Sequence, residues 1–181
     1  MNHAVLHPAR SVSDACQLFF RNPFNPWSHT PFGRSVAAAC ELFERTTRRY
    51  GKPEFGIDEV TIDGEPIGVH EEVVWSKPFC QLKHFVRDIP DDHPAARTKL
   101  LIVAPMSGHY ATLLRGTVET MLERHDVYIT DWVDARMVPL TCGTFDLDDY
   151  IDYLIEMFRL FKGDCHVMAV CQPSVPVLAA V

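Results

Sequence analysis

The residues that most directly suggest chemistry lie near the end of the chain. Ala169-Val170-Cys171-Gln172-Pro173-Ser174-Val175-Pro176 follows an apolar run and opens a new segment. This is the form of a nucleophile elbow: a buried strand, a small residue, a nucleophile at a sharp turn, then a helix start. Such a turn lifts the nucleophile out of the sheet and aims the first N–H groups of the helix at it, which favours a thiolate. The N–H of Gln172 is then placed to donate to an oxyanion. Pro173 and Pro176 suit a first helical turn, where the backbone N–H has no intrahelical partner and the fixed φ matches the helix. The alternative is that Cys171 is a small apolar side chain ending a core strand, the common situation of an unreactive cysteine. Pro173 also stands where a hydrolase box has its second small residue, usually glycine.

Other strand ends add candidates. Ala104-Pro105-Met106-Ser107-Gly108-His109-Tyr110 follows an apolar strand. In hydrolases with an elbow this loop supplies the second oxyanion donor from the backbone, a role open to Ser107, Gly108 and His109. An ordinary strand-to-helix loop is the plainer alternative. His109 as a base would precede the nucleophile, the wrong order for that fold. Asp131 and Asp134 follow a further strand, where a site could use them, although a solvated or ion-paired loop accounts for them. Asp146, Asp148, Asp149 and Asp152 crowd a helix start, where carboxylates offset the positive end of the dipole. His166 is expected within a strand, in the core or at a sheet edge.

The elements that must position these residues fall into three stretches. Ser13 and Asp14 are expected to cap a short helix ending at Asn22-Pro23-Phe24-Asn25-Pro26-Trp27, and a second helix is expected over Arg34 to Tyr50. Residues 57–88 read as strands around the turn dipeptide Asp63-Gly64, an antiparallel group ahead of the main sheet. From residue 98 strand and helix alternate. Leu100 to Ala104 has the unbroken apolar character of a strand buried on both faces. Tyr110 to Arg124 carries an apolar helical stripe including Leu113 and Leu114. Strands over Val127–Thr130 and Cys165–Val170 flank a helix over Asp146–Phe161. The expected class is α/β with a parallel sheet. A helical segment over residues 1–56 precedes a sheet domain over residues 57–181.

Composition narrows the function. The chain has 181 residues, 17 Lys+Arg against 24 Asp+Glu and a net charge of -7. A protein that binds nucleic acid through its backbone would carry the opposite surplus. No apolar stretch approaches the roughly 18 residues needed to span a bilayer, and no secretory signal is evident at the start. The six cysteines are widely spread and form no Cys-x-x-Cys pair. This suits reduced thiols in a cytoplasmic protein, with no metal site.

Three segments also carry a family resemblance. Pro105 to Gly116, Val127 to Arg136 and Phe145 to Ile151 resemble segments of bacterial intracellular poly(3-hydroxybutyrate) depolymerases. Val170-Cys171-Gln172-Pro173-Ser174-Val175-Pro176 resembles that family's lipase-like box, in which cysteine replaces serine. The resemblance implies an α/β-hydrolase fold and a cytoplasmic ester hydrolase acting on polyhydroxybutyrate storage granules without a cofactor. Its triad would be Cys-His-Asp, with Cys171 as nucleophile. In that fold the acid and the histidine follow the nucleophile, yet Gln172 to Val181 contains no Asp, Glu or His. The chain is therefore expected to be the N-terminal portion of a depolymerase, truncated after the elbow and inactive by itself. Two rivals stand beside this reading. A polyhydroxyalkanoate synthase would show Gly-x-Cys-x-Gly, against which Ala169 and Pro173 weigh. A non-catalytic granule-binding piece would need neither Asp nor His.

Overall fold

A computed structural model describes residues 7–47, 51–90, 93–106 and 110–181. Contacts divide the chain into two compact units, Met1–Gly51 and Lys52–Val181.

The first unit is a helical hairpin. Helix α1 (His7–Arg21) and helix α2 (Pro31–Thr47) are joined by a 3-10 turn over Pro26–His29. The linker is held by its own asparagines: Asn22 Oδ1 accepts from Phe24 N and Asn25 Oδ1 from Trp27 N. Thr30 Oγ1 accepts from Gly33 N at 3.1 Å and so caps α2. The helices run antiparallel, with Arg10 Nε donating to Thr47 Oγ1 at 3.2 Å and Ser13 Oγ donating to the Cys40 carbonyl at 3.0 Å. Ser13 is thus an interior helix residue that bridges to α2, not the cap expected from sequence; α1 begins before it, at His7. The second helix likewise begins three residues earlier than expected, at Pro31, because Thr30 supplies a cap and Pro31 suits the first turn.

Gly33 permits the tight linker. A Cβ there would lie 1.9 Å from the Trp27 carbonyl oxygen. Gly33→Ala is therefore expected to destabilise the hairpin by about 1–3 kcal/mol, because the obstacle is backbone and must shift. Helical circular dichroism followed through a urea titration would register this. An unchanged midpoint would show that the linker adapts without strain.

The second unit is built on one mixed six-stranded sheet in the order β1-β2-β3-β5-β4-β6, curled into a half-barrel. Its strands are β1 (Glu59–Ile62), β2 (Glu65–Lys77), β3 (Cys80–Arg87), β4 (Lys99–Val103), β5 (Asp126–Trp132) and β6 (His166–Ala169). The antiparallel strands are not a separate group. β3 pairs with β5 from Cys80↔Trp132 to Phe85↔Val127, which satisfies an edge that would otherwise be open. β4 is flanked by β5 and β6 in parallel. The sheet is therefore mixed, and only its β5-β4-β6 part is parallel.

Burial on both faces explains the unbroken apolar run of β4. Leu100 and Ile102 pack with Phe55, Phe85 and Ile129 on one face, covered by Val118 and Leu122 of helix α4 (Arg115–Leu122). Leu101 and Val103 pack on the other with Leu82 and Trp132. That face is covered by helix α5 (Leu147–Leu160) through Leu154 and Met157, and by Val177. A single-turn helix, α3 (Pro94–Arg97), precedes β4. The segment after Tyr110 is not one helix. Ala111–Leu114 forms a 3-10 turn before α4, which rotates Leu113 out of the expected apolar stripe and leaves it 59% exposed. Asp146 accepts from Asp148 N and Asp149 N while Asp149 accepts from Asp146 N. This capping box accounts for two of the acidic residues at the α5 start.

Candidate functional site

The carboxyl ends of β4, β5 and β6 lie at the same end of the parallel part of the sheet, where chemistry gathers in open α/β folds. β6 reaches that end beside β4: Val103 pairs with Ala169, and Val170 N donates to the Val103 carbonyl at 3.3 Å. The chain then turns sharply at Cys171, whose φ is +70°. Few residues other than glycine adopt this region, because Cβ crowds the backbone there. The conformation is held on its far side. Ser174 N and Ser174 Oγ both donate to the Cys171 carbonyl, at 3.1 and 2.7 Å. Helix α6 (Ser174–Ala180) starts at that point.

Local sequence explains why the turn is sharp and the helix follows at once. Pro173 sits at the cap with φ -58° and is buried. Pro176 lies in the first turn, where its missing N–H costs nothing. Pro176 and Val177 are buried and anchor α6 beneath the turn. Cys171 itself is exposed. A solvent-exposed thiol thus stands on a strained strand-to-helix turn at the end of a parallel strand.

Gln172 joins two of the predicted segments. Its side-chain oxygen accepts from Met106 N at 3.3 Å, tying the turn after β6 to the loop after β4. Among the described residues no acceptor pairs with the Gln172 N–H. Ser107, Gly108 and His109 lie outside the described residues. The flanking Met106 places the start of that loop against Gln172.

The end of β4 is braced from β5 by two side chains that sequence reading passed over. Thr130 Oγ1 accepts from Ala104 N and Trp132 Nε1 donates to the Ala104 carbonyl, both at 2.9 Å. The signal available in sequence was weak: a threonine and a tryptophan in a strand are ordinary packing residues.

Asp131 requires a correction. It is not a loop residue but part of β5, and it is 1% exposed. Its Oδ2 is bound by Lys52 Nζ and lies 3.7 Å from Lys83 Nζ. Its Oδ1 is buried without a hydrogen-bond partner among the described residues. Lys83 continues the chain of charges to Glu71. Asp131 is committed to this ion network on the face covered by Lys52, and among the described residues no hydrogen bond or ion pair joins it to Cys171. Asp134 closes a local turn, accepting from Arg136 N at 3.0 Å and pairing with the Arg136 guanidinium. Asp152 is exposed on α5, and His166 is exposed on the edge strand β6.

Among the described residues, no group of three His, Cys, Asp or Glu side chains could hold a metal ion. No described helix is long and apolar enough to cross a membrane. The arrangement at Cys171 can present a sulfur nucleophile to a carbonyl brought to the open end of β6, with the Gln172 N–H beside it. Comparison of the chain with protein-family models gives no match, and neither does comparison with curated proteins or with solved structures.

Proposed function

We infer that this chain carries the nucleophile portion of an α/β-hydrolase that cleaves polyhydroxybutyrate, with Cys171 as the attacking residue. The observation that supports this best is the exposed Cys171 at φ +70° between β6 and α6. A nucleophile elbow requires that strained turn, and an inert core cysteine does not. The juxtaposition of Gln172 with the loop after β4 also supports it, since oxyanion donors come from these two places.

Under this reading the Cys171 sulfur attacks the ester carbonyl carbon. A C–S bond forms, and the carbonyl π pair moves to oxygen, where the N–H of Gln172 is available to donate. Collapse breaks the C–O bond, and the alkoxide leaves as an alcohol carrying the proton that the Cys171 thiol gave up. Water then hydrolyses the thioester, releasing a hydroxybutyrate unit and restoring the thiol. The fold calls for a base and an orienting acid after the nucleophile, and residues 172–181 offer neither.

Granule contact has support in the helical unit, where Leu18, Phe19, Phe24, Trp27 and Phe32 are all exposed, Phe24 by 93%. Large apolar side chains grouped around one linker suit a hydrophobic polymer. A cytoplasmic location follows from the same reading.

Incubation with an activated ester of 3-hydroxybutyrate, followed by peptide mass analysis, tests the proposal. Cys142 is exposed as well and serves as an internal reference. The expected result is a hydroxybutyryl adduct on Cys171 in excess of about tenfold over Cys142, because only the former has an oxyanion donor beside it. Equal labelling of the two thiols would reduce Cys171 to an ordinary surface cysteine. Binding to amorphous granules without such an adduct would favour the non-catalytic reading.

A further inference from the structure

The geometry points to a second thiol site, in the helical hairpin: Cys16 of α1 and Cys40 of α2 form a dithiol that a peroxide converts to a disulfide. The two cysteines face each other across the hairpin. On one side of them Arg10 meets Thr47, and on the other Phe20 meets Phe32 with ring centroids 6.4 Å apart. Between these, Ser13 Oγ reaches the Cys40 carbonyl at 3.0 Å, and Cys16 lies on the same face of α1 one turn further along. Ser13, Gly33 and Ala37 are buried along this seam, so small residues let the helices approach closely. Both cysteines line one apolar groove of about 660 Å³, together with Pro8, Ala9, Val12 and Val36.

Both cysteine side chains border that groove, and each is half-buried. Interaction with the Cys40 thiol, with some burial, holds the Cys16 thiol above its ordinary value. Cys40 is assigned as the attacking sulfur and Cys16 as the resolving one, an assignment that the Cys16→Ser variant tests. A disulfide between the two helices requires their Cα atoms within about 7 Å, and the small residues along the seam favour such an approach.

The chemistry balances with hydrogen peroxide as oxidant. The Cys40 thiolate attacks one peroxide oxygen, the O–O bond breaks, and the departing hydroxide takes a proton to become water. The Cys40 sulfenic acid is then attacked by the Cys16 sulfur. The S–S bond forms as the S–O bond breaks, and hydroxide leaves with the Cys16 proton as a second water. Two thiols lose two electrons and two protons, and one peroxide becomes two waters. The site does not involve Cys171.

The full chain treated with hydrogen peroxide and digested with trypsin without reductant tests the inference. The peptides Ser11–Arg21 and Ser35–Arg45 should appear joined, two hydrogens lighter than their sum. Their yield should exceed that from the same treatment in guanidinium by about tenfold or more, because the fold raises the effective concentration of one thiol at the other. In a Cys16→Ser variant, Cys40 should instead be trapped as a sulfenic acid by dimedone. Equal cross-linking in the denatured chain would overturn the inference. So would preferential pairing of Cys40 with Cys142 or Cys171.

Discussion

Cys171→Gly is expected to abolish acyl-adduct formation while making the chain more stable than Cys171→Ala. The two substitutions remove the same sulfur, so both should lose the adduct, a drop of at least about 10³-fold in acylation rate if the thiol is the nucleophile. They differ in backbone strain. At φ +70° a Cβ costs about 1–3 kcal/mol, which alanine retains and glycine escapes. Glycine in turn loses about 0.4–1 kcal/mol through the greater freedom of its unfolded chain. Strain relief is the larger effect, and the glycine variant should exceed the alanine variant by about 1 kcal/mol in urea unfolding. The native cysteine would then occupy a position where stability is given up for reactivity, as in other strained nucleophile turns. A glycine variant no more stable than the alanine variant would show that the turn carries no strain, and the elbow reading would lose its main support.

The second large effect is expected at Asp131. Its carboxylate is buried in β5 and bound to Lys52, with Lys83 at 3.7 Å. Asp131→Ala leaves two ammonium groups without their shared partner. Removal of one member of a buried pair costs about 3–5 kcal/mol. Here the lysines have some escape, since the Lys52 side chain is 38% exposed and Lys83 also meets Glu71. About 2–4 kcal/mol is the reasoned range. The loss should appear as a lower unfolding midpoint while Cys171 in the folded chain still acylates. A variant with normal stability but a defective Cys171 adduct would place Asp131 in the chemistry after all. The buried, partnerless Oδ1 makes Asp131→Asn a useful companion, because an amide keeps the volume but loses the charge.

Lys52 shows why this network was not legible in sequence. Gly51-Lys52-Pro53 reads as the stop of a helix, and nothing local ties it to a strand end 79 positions later. That contact exists because Phe55 and Ile57 are drawn into the core and carry Lys52 across the sheet. The position of β3 is a similar case. Its alternation marks a strand, but pairing with β5 instead of standing apart follows from which edge is available once β4 and β5 are in place.

Local chemistry is where sequence was strongest. The unbroken run in β4, the Asp63-Gly64 turn, the carboxylates at the start of α5 and the strand–turn–helix at Cys171 are all set by residues within a few positions of one another. Their physical causes are burial on both faces, positive φ, capping and proline geometry, which act at short range. The sequence by itself thus determined that helices combine with a sheet and which thiol stands at a strand end, but not that the sheet is mixed and parallel only over β5-β4-β6. Tertiary structure alone decided that Asp131 belongs to an ion network, that Gln172 touches the loop after β4, and that Cys16 faces Cys40. Each of these is a contact between distant positions, and such contacts depend on how the faces of helices and strands pack, which no local pattern encodes.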